Sequence, residues 1–173
     1  MNSRIPLAVF LLLAFPFFCA AAVPTPRQAV SADFGVDSST QWVVGYSAGN
    51  ESSVIMELVP KGETVENWSE IVTNRIMFYA DPVTVEQQVE AWKAMLGPTT
   101  EVQVEKLDDG SCFATYSSKA HDEFGMYHFF PGEDGVYEIG FAEKLSKKNE
   151  DRVALWRSIL MRAKLVPNPL LKK

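Results

Sequence analysis

Two strand–turn–strand units in the second half of the chain constrain the fold more than any other feature. Residues 101–107 and 111–117 flank Asp108-Asp109-Gly110, and an Asp-Gly step supplies the positive φ that a tight hairpin turn requires. Residues 124–130 and 136–142 flank Pro131-Gly132-Glu133-Asp134-Gly135. In the last of these strands Tyr137, Ile139 and Phe141 alternate with Glu138 and Gly140, the period-two pattern of a half-buried strand. A third hairpin is expected earlier, where Trp42, Val43, Val44 and Tyr46 precede the turn-like 49–53 and the run Val54-Ile55-Met56-Glu57-Leu58-Val59. Strands joined by hairpins pair antiparallel, so a largely antiparallel sheet follows.

Helical signals are interleaved with these strands. Thr84 followed by Gln87 matches a capping box, and Val85, Val89, Trp92 and Leu96 form one apolar stripe that Gly97-Pro98 ends. A second helix is predicted over 149–165, with Val153, Trp156, Ile159, Leu160 and Ala163 on its buried face. Glu150 and Asp151 near its start and Arg162 and Lys164 near its end suit the helix dipole. Trp68, Ile71, Val72, Ile76 and Tyr79 recur at helical spacing, which predicts a further helix over 64–72 followed by extended chain. The expected architecture is an α+β layered sandwich, a largely antiparallel sheet of about 6–7 strands covered by about three helices.

The amino terminus reads as an export signal. Arg4 is the one charge of a short n-region, 5–18 is apolar apart from Pro6 and Pro16, and Cys19-Ala20-Ala21-Ala22 provides small residues for cleavage. The apolar run is short of the about 20 residues that span a bilayer, so cleavage after Ala22 is favoured over a retained anchor. A lipidated Cys19 is the other alternative, but Phe18 and Pro16 stand where a lipoprotein signal has a small residue and usually Leu. The expected organisation is a signal peptide over 1–22, a flexible leader over 23–33, one domain over 34–167 and a tail over 168–173. A domain of that size buries roughly 70% of its unfolded surface and needs no staple. Cys112 is then the sole remaining cysteine, so no internal disulfide forms. The expected location is periplasmic or secreted. The net charge of −6 becomes more negative on loss of Arg4, which argues against nonspecific nucleic-acid binding. No further apolar run approaches membrane-spanning length, so no membrane association is expected after cleavage.

Few residues advertise chemistry. Cys112, with His121 and His128 downstream, resembles the order of cysteine peptidases of the cell-wall-hydrolase kind. Those enzymes place the thiol at a helix start, where the dipole favours thiolate, whereas Cys112 follows a tight turn into a strand. It reads first as a small apolar strand residue. The His121-Asp122-Glu123 and His128 group lacks the i, i+4 spacing by which one helix presents two metal ligands. Asp108-Asp109 and Glu133-Asp134 fall in turns, where Asp serves local hydrogen bonding. No catalytic, cofactor-binding or metal-binding residue is assigned from the sequence.

The segment Val59-Pro60-Lys61-Gly62-Glu63-Thr64-Val65-Glu66-Asn67-Trp68-Ser69-Glu70-Ile71-Val72-Thr73 resembles one from small, exported, largely uncharacterised proteobacterial proteins. The element order, hairpin first and helix last, is similar to the PsbP-like fold, an α/β/α sandwich. That resemblance implies an accessory or binding module without a catalytic centre. Two functions follow as expectations. One is a noncatalytic exported domain whose partner is a protein or small ligand of the cell envelope. The other is a cysteine-dependent hydrolase using Cys112 with His121 or His128.

Overall fold

A computed structural model describes residues 23–34, 37, 39–79, 81 and 83–171. The expected signal peptide over 1–22, including Cys19, lies outside the described residues, as do Lys172 and Lys173 of the expected tail. In chain order the elements are β1 (Gln28–Ser31), β2 (Trp42–Gly49), β3 (Ser53–Pro60), β4 (Glu70–Phe78), α1 (Val85–Leu96), β5 (Glu101–Lys106), β6 (Cys112–Ser118), β7 (Glu123–Pro131), β8 (Gly135–Lys144), α2 (Glu150–Arg162) and β9 (Lys164–Pro167). Seven strands form one antiparallel sheet in the order β2-β3-β4-β8-β7-β6-β5, and β1 pairs with β9 in a second, two-stranded sheet. No helix among the described residues is long and apolar enough to cross a membrane.

Among the described residues the protein is mostly β with two α-helices, which corrects the expected three-helix cover. The overturned element is the helix predicted over 64–72. Those residues instead form a turn closed by a Thr64–Asn67 bridge, and β4 then begins at Glu70. The Glu63 carboxylate pins the turn by accepting from the Ser69 backbone N–H at 2.6 Å and its hydroxyl at 2.7 Å. Ile71, Val72, Thr73 and Ile76 are β-branched and stiff at χ1, so they fit a pleated surface better than a helix. As β4 they lie near the middle of the sheet and pair with β8 along all nine residues of the strand. The helical spacing was real, but Val72 and Ile71 serve opposite faces. The segment read as a leader contains β1, and α2 ends at Arg162, so that Leu165 and Val166 belong to β9.

The sheet's two faces are covered differently. On the first, Met56, Leu58, Val72, Ile76, Phe113, Met126, Phe130, Tyr137, Ile139 and Phe141 pack against Trp156, Ile159 and Leu160 of α2. The Trp156 ring stacks on Phe141 with centroids 4.6 Å apart. The side chain of Asn149 caps α2 by accepting from the N–H groups of Asp151 and Arg152. Arg152 then reaches Asp37 at 2.6 Å and Glu70 at 2.5 Å, tying the helix to β4. On the second face, Val85, Val89 and Trp92 of α1 cover Cys112, Ala114, Tyr116, Phe129 and Val136. Farther along, Val65 and Trp68 of the 61–69 turn pack on Val59, Ile71 and Ala142. A strip of β3, β4 and β8 lies between these two coverings.

Candidate functional site

The residues singled out by sequence do not converge. Cys112 pairs with Phe129 across β6 and β7 and joins it beneath α1, with only 1% of its surface exposed. Burial pushes its thiol above the ordinary range, and nearby Glu86 adds to the shift. His128 precedes Phe129 and so points through the opposite face, among Met126, Phe130 and α2, with 2% exposed. The thickness of the sheet therefore separates Cys112 from His128. His121 sits in the turn before β7 and is exposed. Among the described residues, no three side chains of His, Cys, Asp or Glu form a group able to hold a metal.

His128 has a structural task. Its Nδ1 lies 2.9 Å from the Leu160 carbonyl and its Nε2 lies 2.9 Å from the Ser111 hydroxyl. A carbonyl only accepts, so Nδ1 carries the proton and neutral Nε2 is left as an acceptor. Ser111 Oγ also lies 2.5 Å from Asp109 Oδ1. One hydroxyl proton thus faces two acceptors while His128 is neutral, and both contacts are satisfied only when His128 is charged. Burial opposes that charge and lowers its pKa. The network joins the β5–β6 turn to the end of α2.

The strip between the two coverings of the second face has a different character. Two cross-strand rows define it, and a third bounds it. Ile55, Arg75 and Glu138 are register partners on β3, β4 and β8. Tyr46, Glu57, Thr73, Gly140 and Tyr127 form the next row across β2, β3, β4, β8 and β7. The third row holds Val59, Ile71 and Ala142 under Trp68. Register partners on one face have Cβ atoms about 4.5–5.5 Å apart, so the first two rows form a compact polar floor.

Arg75 and Glu138 form an ion pair through Nε and Oε1. The Glu138 side chain is 1% exposed and that of Arg75 is 20% exposed. Burial raises the Glu138 carboxyl, and Arg75 pulls it partly back. Oε2 of Glu138 has no hydrogen-bond partner among the described residues. Leaving a buried carboxylate oxygen unpaired is costly. Glu57, half-buried, is raised by burial and stabilised by the Thr73 hydroxyl and the field of Arg75. It forms no ion pair among the described residues. Tyr79, just beyond β4, donates its hydroxyl to Gln88 of α1 and makes the wall on the helix side. Perturbed, partly paired groups in a partly open sheet face make this trough the candidate site.

Sequence reasoning missed these residues. Glu138 was read as the solvent side of an alternating strand. The available signal was a single acid or base inside otherwise apolar strands, as with Glu57 in Val-Ile-Met-Glu-Leu-Val and Arg75 before Ile76-Met77-Phe78.

No family model, curated protein or solved structure matches this chain.

Proposed function

We propose that this chain is an exported, noncatalytic domain of the periplasm or extracellular space that binds a small ligand in the trough over Arg75 and Glu138. The observation that carries the reading is the Arg75–Glu138 pair: a fully buried carboxylate, half-satisfied, on the strip of sheet that α1 leaves uncovered. Replacing such a pair with apolar residues is often neutral or stabilising, so its presence in a β core points to use rather than to stability. Export rests on the signal pattern of residues 1–22. Binding is favoured over cysteine hydrolysis because Cys112 and His128 lie on opposite faces. A thermal-shift screen of the exported protein against a diverse set of small polar molecules tests the reading. Compounds that raise the melting temperature of the wild type should lose their effect in Ile55→Trp, which fills the trough beside Arg75. A set with no stabilising compound, or compounds acting equally on both proteins, refutes it.

A further inference from the structure

We propose that the ligand is a small organic ammonium ion, its charge held between Glu57 and Tyr46 and its apolar stem lying on Ile55. The inference rests on the trough reading and adds the chemical class.

Charge accounting leads to it. Arg75 is spent on Glu138, its register partner. Glu57, on the next row, is the acid left over: it accepts from Thr73, feels Arg75 only at a distance and has no ion-pair partner among the described residues. A half-buried carboxylate without a counter-charge is a place where a cation gains most. Glu138 Oε2, fully buried on the same face and without a hydrogen-bond partner among the described residues, is a second unfilled acceptor. Tyr46 supplies an independent feature. It is the register partner of Glu57, and 44% of its surface is exposed on an edge strand. An aromatic face within about 6 Å of an ammonium adds cation–π attraction. Ile55, beside Arg75, offers an apolar surface for the stem. The chain's net charge of −6 draws cations towards the protein. A simple anion would meet Glu57 and Glu138 and gain only Arg75, which is already paired.

Titration followed by 1H–15N NMR tests the class. The exported protein is titrated with n-butylammonium, butyrate and norleucine at constant ionic strength, with sodium as the control. The expected result is saturable shifts from n-butylammonium at Tyr46, Glu57, Thr73 and Arg75. Glu57→Gln should weaken binding about tenfold or more, the loss of one charge-assisted contact, Glu57→Asp should retain part of it, and Tyr46→Ala should weaken it less. Thermal melts confirm that each variant is folded. Shifts from n-butylammonium no larger than those from sodium overturn the ammonium class, as does binding unchanged by Glu57→Gln. Norleucine binding that Glu57→Gln weakens supports the class, since norleucine carries the same ammonium; butyrate binding that Ile55→Trp abolishes overturns the class but leaves the trough reading standing. If no probe binds and the small-molecule screen yields nothing, both fail.

Discussion

Replacing Arg75 with Met separates the two roles of the buried pair. Met keeps an unbranched apolar stem but leaves the Glu138 carboxylate, 1% exposed, without the one ion-pair partner it has among the described residues. Breaking a buried pair from one side costs about 3–5 kcal/mol while the remaining charge stays ionised. Glu138 has an escape, because it can take up a proton. Burial already raises its pKa in the wild type, and Arg75 is the group that lowers it. Removing Arg75 therefore raises the folded-state pKa further. A carboxyl with a raised folded pKa contributes stability that is present at low pH and lost as pH rises through that pKa. The deficit of Arg75→Met relative to wild type should thus be small near pH 5 and open towards pH 8, by up to about 1.4 kcal/mol per pH unit between the two folded pKa values. Arg75→Met/Glu138→Leu removes both charges, and its stability should return to within about 1 kcal/mol of wild type and lose the pH dependence. Urea melts of the three proteins at pH 5, 6.5 and 8 supply the comparison. A single variant that loses under 1 kcal/mol at pH 8, or a double variant less stable than the single, would refute the argument that Glu138 is a buried charge dependent on Arg75.

Trp156→Ala, at a fully buried ring stacked on Phe141, and Trp92→Ala, under which Tyr116, Tyr127 and Phe129 gather, should each cost about 3–5 kcal/mol in urea melts. The Cys112 thiol, buried and shifted upward, should react slowly with a thiol reagent in native protein and rapidly in urea; rapid native labelling would contradict its burial. His128 is held below the usual histidine range by burial. Its contribution to stability is present above about pH 6.5 and is lost as pH falls towards its folded pKa, so His128→Gln should flatten that part of the stability profile, and an unchanged profile would show that His128 does not titrate there. Mass spectrometry of the protein made in cells from the full sequence should give an amino terminus near Val23, and a mass retaining residues 1–22 or a lipid on Cys19 would contradict cleavage by signal peptidase.

What could be read from sequence was what local chemistry decides. The Asp109-Gly110 turn, the Thr84–Gln87 capping box and the alternation of Tyr137, Ile139 and Phe141 are local signals, and each matches the element found there. The strand at Glu70–Phe78 was harder, because a strand with both faces covered shows an apolar run that imitates a helix. Its identity is set by pairing with β3 and with β8, the latter from a segment far away in sequence. β1 and β9 have the same origin, since four residues hold as a strand only when a partner far downstream (Lys164 for Ser31, Pro167 for Gln28) is brought alongside. The trough was invisible for a related reason. Period-two patterning says that Glu138 faces away from Ile139, but not that the other face is also enclosed at that point.

The enclosure follows from where glycine replaces a side chain. A Cβ on Gly140 would collide with the Tyr127 ring, and one on Gly125 would collide with the Tyr116 ring. Each tyrosine on β6 or β7 therefore lies flat across a neighbouring strand instead of standing off the sheet. Tyr116 delivers its hydroxyl to Glu123, and Tyr127, laid over Gly140, reaches Thr73 on the far side of β8. Trp92 of α1 then packs on both rings. The helix is thereby coupled to the polar floor through one sequence of contacts: Trp92 on Tyr127, Tyr127 to Thr73, Thr73 to Glu57. Tyr127 is pushed upward by burial and remains a neutral hydroxyl at physiological pH. The Thr73 hydroxyl lies near both Tyr127 and Glu57 and lowers the cost of a charge on either. A cation arriving at Glu57 would thus meet a carboxylate that already has the polar Thr73 beside it.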